Sequence, residues 1–165
     1  MRTCFVVLAF VSAVAFGAPK KTLAEYVPAK IGDIALMKMP KGMELPPPDV
    51  AAAYIDRKSG KSININLMKV KDLKFSKAQF HHLKPGETKD SPSKLSFKGF
   101  DAGDGILGER TRYQDDSKKS EAILLLGDKL DVMVSVQPTD NEDEAIDVLK
   151  TLDVKGLNEF AKTMH

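Results

Sequence analysis

The 165-residue sequence predicts an α+β fold, an antiparallel sheet of five or six strands with C-terminal helices packed on one face. Three features lead there. Apolar and polar residues alternate over Ile63–Leu67 and again over Leu130–Gln137, the period of a strand with one buried side. Short turn-forming stretches separate neighbouring strand segments, which favours local hairpins. The chain then ends in apolar residues at helical spacing: Ala145, Ile146, Leu149 and Leu152, then Val154, Leu157, Phe160, Ala161 and Met164.

Residues 1–17 read as a cleavable signal peptide. Met1-Arg2-Thr3 is a short positive end, and Phe5 to Phe16 is apolar apart from Ser12. Ala15 and Gly17 are the small residues three and one positions before the cut, so the mature chain is expected to start at Ala18. This apolar core is shorter than the roughly 20 residues of a membrane span. Cys4 precedes the core, which argues against a lipoprotein. The expected location is therefore periplasmic or secreted, and no later segment reads as transmembrane. Residues 18–165 read as a single α+β domain without cysteine, which removes disulfides and thiolate chemistry. No Asn-x-Ser/Thr acceptor for N-glycosylation occurs.

From the N-terminus, Thr22–Tyr26 predicts a short helix closed by Pro28, and Ile34–Met39 a strand stopped by Pro40. Pro46-Pro47-Pro48 stiffens the loop that follows. Val50–Asp56 and Lys61–Met68 form a hairpin about Lys58-Ser59-Gly60. Ser76 and Gln79 predict a capping box, with Phe75 and Phe80 as its hydrophobic staple, and Pro85-Gly86 ends that helix. Glu87–Ser96 is polar and reads as a mobile loop. Ile106–Tyr113, Glu121–Leu126 and Leu130–Gln137 are the remaining strands, the last two joined by a tight turn at Gly127-Asp128. Thr139 and Glu142 predict a second capping box, and Asp153 a further N-cap. The sheet face away from the helices is expected to carry Asn64, Asn66, Asp131 and Ser135, with Arg110 and Arg112 beside them.

The small net charge of +2 hides a polarised chain. Arg57–Lys98 holds eleven basic residues and three acids; Asp101–His165 holds fifteen acids and eight bases. Such asymmetry points either to an anionic partner or to halves that fold against each other and neutralise.

Catalytic patterns are sparse. Gly60-Lys61-Ser62 lacks the earlier glycine and the following helix of a phosphate-binding loop, so it reads as a hairpin turn. His81 and His82 are adjacent, and helical neighbours point about 100° apart, a poor arrangement for one metal. His165 is terminal. Asp101-Ala102-Gly103-Asp104-Gly105 resembles part of a calcium loop, but Arg112 stands where the last acid belongs. No Gly-x-Ser-x-Gly elbow is present. No cofactor is expected.

The leading expectation is an exported, non-catalytic binding or structural module of the cell envelope. Its candidate surface is Lys69, Lys71, Lys74 and Lys77, suited to an acidic protein, an anionic glycan or a lipid headgroup. Nucleic acid is disfavoured by export, and by Phe75 and Phe80 being assigned to the helix staple instead of to base stacking. One alternative is a small-ligand, lipid-like carrier with Met37, Met39, Met43, Met68 and Met133 lining a cavity. A hydrolase with a dispersed site is the other.

Overall fold

The computed structural model describes residues 21–38, 42, 45–47, 49–114 and 118–164. The signal-peptide assignment lies outside these residues, as do Met39, Met43 and His165. A 3-10 helix at Leu23–Tyr26 leads into a small two-stranded sheet, β1 (Lys30–Ile31) and β2 (Ile34–Ala35). The main elements follow: β3 (Val50–Ile55), β4 (Ser62–Lys69), α1 (Leu73–Ala78), β5 (Thr88–Ser91), β6 (Leu95–Asp101) and β7 (Leu107–Tyr113). They continue with β8 (Ser120–Leu126), β9 (Leu130–Gln137), α2 (Glu144–Leu149) and α3 (Val154–Thr163).

Strands β3 to β9 make one antiparallel sheet of seven, in the order β3-β4-β9-β8-β7-β6-β5. The fold is α+β, and the sheet exceeds the expected five or six strands. The gain comes from β5, which lies wholly in the stretch read as a mobile loop, and from β6, which begins at the end of that stretch. β5 is made of Thr88-Lys89-Asp90-Ser91 and needs no apolar pattern. It is an edge strand, held by backbone bonds to β6 alone and kept polar where it meets water. In the other direction, the described residues of the strand expected over Ile34–Met39 form only Ile34–Ala35 plus one bridge between Leu36 and Tyr54.

The sheet's first face carries the core. Ile63, Ile65 and Leu67 of β4 line up through the register with Val136, Val134 and Val132 of β9, and all six are buried. Leu124, Leu126, Ala145, Leu149, Leu157 and Ala161 join the same cluster as α2 and α3 pack down. Burying such side chains is the dominant favourable term, about 1.5–3 kcal/mol for each large one. Asp153 caps α3 as expected, accepting the amide of Gly156 at 2.8 Å. The α2 start differs from the sequence reading. The helix begins at Glu144, and the Thr139 hydroxyl bonds Glu144 and not Glu142. A turn stitched by Asn141 to Thr139 intervenes.

Arg110 and Arg112 also depart from expectation. Alternation puts them on the first face, in register with the core residue Ala122 and with Ser120. Arg110 is 2% exposed and meets Glu142 and Asp143 at the start of α2, both at 3.3 Å. Arg112 donates to the Thr139 carbonyl at 2.7 Å. Burial would raise the Asp143 carboxyl, but the hydrogen bond and charge of Lys98, with Arg110 behind it, hold it below the usual range. Lys61–Glu144, Lys77–Asp128 and Lys98–Asp143 likewise join the basic stretch to the acidic one, at 2.6–2.7 Å. Part of the charge asymmetry is therefore neutralised inside the fold. No described helix is long and apolar enough to cross a membrane.

Candidate functional site

The second face of the sheet is crossed by one segment, α1 and the chain that follows it to Glu87. Asn64, Asn66, Asp131 and Ser135 lie on this side by alternation, opposite the core residues of β4 and β9. Four anchors fix the crossing segment. Ser76 donates to Asp131 at 2.8 Å, and Lys77 pairs with Asp128 at 2.7 Å. The His81 amide and imidazole both meet the Glu109 carboxylate, at 2.8 and 2.6 Å. Beyond them, Gly99 lets the carbonyls of Leu83 and Lys84 lie directly on β6.

The start of α1 differs from the capping box read in the sequence. Asp72 is the N-cap, accepting from the Phe75 amide at 3.1 Å, while Ser76 lies inside the helix and is its buried residue. Phe75 is 64% exposed, so it forms no staple. The local signal misled because Asp72 and Ser76 are both good caps at helix-turn spacing; tertiary contact with Asp131 chose between them.

The four candidate lysines gather around this helix without being equivalent. The Lys69 amide donates to Asp49 at 2.7 Å, and the Lys71 ammonium stands 3.7 Å from the same carboxylate. The Lys71 side chain is 80% exposed, whereas that of Asp49 is 8% exposed. The carboxylate is thus sunk and the ammonium stands out. Lys74 is exposed and has no ion-pair partner among the described residues. Lys77 is tied to Asp128, which makes it an anchor more than a free cation. Clefts of about 270 and 210 Å³ flank the helix. The first is lined by Lys77, Phe80, His82, Leu107 and Glu109, the second by Asp49, Met68, Lys71, Phe75 and Asp131. Each is below the roughly 300–1,000 Å³ of drug-sized ligand sites.

The buried carboxylates of this face were missed in the sequence. Glu109 and Glu121 are 4% and 9% exposed. Both oxygens of Glu109 are engaged by His81, whose ring packs on Phe97 with centroids 4.0 Å apart. Glu121 accepts from the Tyr113 hydroxyl at 2.8 Å and pairs with Lys119 at 2.5 Å. Their oxygens are spent on holding neighbours in place, which is poor preparation for acid–base work. The only available signal was strand alternation, which groups Glu109 with Leu107 and Thr111 but does not say what lies above them.

The remaining sequence candidates resolve simply. Gly60-Lys61-Ser62 is the turn into β4, where Asp56 accepts from Ser59 and from the Lys58 amide. His82 has a positive φ of 56° and lines the first cleft, while His81 is held by Glu109. Asp101 accepts the Gly103 amide at 2.8 Å in a turn, and Asp104 faces Lys155 at 3.7 Å. Among the described residues no three His, Cys, Asp or Glu side chains form a metal-ligating group. Met37 is 39% exposed, while Met68 and Met133 are half-buried on the second face.

Burial pushes the Asp131 carboxyl up, against the lowering pull of the Ser76 bond. A carboxyl raised in the folded state contributes stability below its unfolded pKa and loses it as pH rises through the folded value. Asp131→Asn keeps an acceptor for Ser76 and removes the charge. It should raise stability at pH 7 by up to ~0.5 kcal/mol, a surface-scale effect. A thermal midpoint that falls would show that the charge itself is needed.

No protein-family model matches this chain, and no curated protein matches its sequence.

Proposed function

We propose that the chain is an exported, non-catalytic binding module that engages an anionic partner through the rim around α1. The observation that carries this is the vertical order of charge. Asp49 lies sunk beside β4 while Lys71 projects above it, and exposed Lys69 and Lys74 flank it. A partner therefore meets ammonium groups before it meets carboxylates. The anchors from Ser76 and Lys77 hold this surface on the sheet, so little ordering is needed on binding.

Retention on immobilised heparin tests the reading. Binding should weaken steeply as salt shortens the reach of exposed charges. Reversing Lys69, Lys71 and Lys74 to Glu should lower affinity about tenfold or more, equivalent to about 1.4 kcal/mol. Lys77 is left intact because its pair with Asp128 anchors the helix. Retention that ignores both salt and the triple reversal would remove the proposal.

A further inference from the structure

The same rim carries apolar groups that an electrostatic partner alone does not use. Phe75 is 64% exposed, Leu73 36% and Leu107 55%. Phe75 sits in the helix between exposed Lys74 and buried Ser76, and lines one cleft with Lys69 and Lys71. Leu107 lines the cleft on the other side of the helix with Lys77 and Phe80. Water gains nothing from a protruding phenylalanine, and no described residue covers it. A rim of lysines around exposed aromatic and aliphatic side chains matches one environment closely. At an anionic bilayer surface the ammonium groups lie at headgroup level, their stems on apolar atoms, and the phenyl ring reaches the acyl boundary.

We infer that the partner is an anionic lipid surface, with α1 as the docking element and Phe75 as its inserting side chain. This rests on the proposed function and narrows its partner. The geometry explains why α1 buries little besides Ser76. Its inner side holds the sheet through Asp131 and Asp128, and its outer side is left for the membrane. Lys71 and Lys74 supply the attraction, and Phe75 supplies burial that salt does not screen.

The chain contains no tryptophan, so Phe75→Trp introduces a single fluorescent reporter at the insertion point. It is mixed with vesicles of phosphatidylcholine, alone or with phosphatidylglycerol. On the mixed vesicles its emission should shift to the blue and be quenched by brominated acyl chains. Phe75→Ser should weaken sedimentation with mixed vesicles about tenfold or more, the scale of losing one buried phenyl group, yet leave heparin retention unchanged. The exposed position makes both variants compatible with the fold. Heparin retention without vesicle binding overturns the lipid inference and leaves the anionic-partner reading standing. Absence of both overturns the two together. Vesicle binding without a blue shift, or without loss in Phe75→Ser, overturns the insertion.

Discussion

Replacing Tyr54 by alanine should destabilise the protein by about 3–5 kcal/mol, the range for removing a large buried aromatic side chain. Tyr54 is fully buried, although β3 is an edge strand of the main sheet. Its ring lies over the first face in register with Ile63, itself paired to Val136. Its hydroxyl donates to the Pro28 carbonyl at 2.6 Å, and its backbone bridges to Leu36. One side chain therefore fills the core and ties the segment before β3 to the sheet. Tyr54→Phe separates the two roles. It keeps the ring and should cost only about 1 kcal/mol, the net worth of a hydrogen bond. The pH dependence gives an independent check. Burial pushes the Tyr54 phenol up to about 12 from its ordinary 10. The neutral phenol is therefore favoured by folding, so its stabilisation is complete below about pH 10 and is lost as pH rises toward 12. Urea unfolding across this window should show a fall that Tyr54→Phe lacks. If the two proteins fall in parallel, Tyr54 is not the group responsible.

The parts of this fold that were legible in the sequence are those governed by short-range rules. Alternation identified β4 and β9 because one side of each is in the core and the other is not. The Gly127-Asp128 turn was legible because both residues tolerate the left-handed backbone, and both adopt it, at φ 56° and 58°. Asp153 was legible as a cap because its carboxylate needs only the Gly156 amide, three residues on in the same first turn. Features decided by tertiary contact were not. β5 has no apolar pattern because an edge strand can be stable on backbone bonds alone. Alternation placed Arg110 and Arg112 on a common face but could not say which face α2 would cover. Among the site residues, the lysines were found by their charge. What sorts them was invisible: Lys77 is consumed by Asp128, fifty-one residues away, and Lys71 stands over a sunken Asp49. Phe75 was assigned inward by a staple pattern that fitted the wrong cap.

Gly99 controls the route of the segment that follows α1 across the sheet. A Cβ at this position would stand 2.3 Å from the Lys84 carbonyl oxygen and 2.7 Å from that of Leu83. These are backbone atoms, so no side-chain rotation relieves the overlap. Gly99→Ala should therefore cost about 1–3 kcal/mol, the usual scale of overpacking. The loss should also be local. The Gly86 amide bonds the Gly99 carbonyl at 2.8 Å, and the Gly99 amide bonds the Glu87 carbonyl at 2.9 Å. Both bonds should weaken as the segment lifts. Upstream, α1 keeps separate anchors at Asp131 and Asp128, so the rim lysines and Phe75 stay in place. Hydrogen exchange should accelerate at Gly86 and Gly99 while Val132, Val134 and Val136 in the core keep their protection. Heparin retention should change little. A uniform rise in exchange would mean that the segment is integral to the core. An equal loss of retention would mean that α1 has no hold on the sheet apart from the chain that follows it.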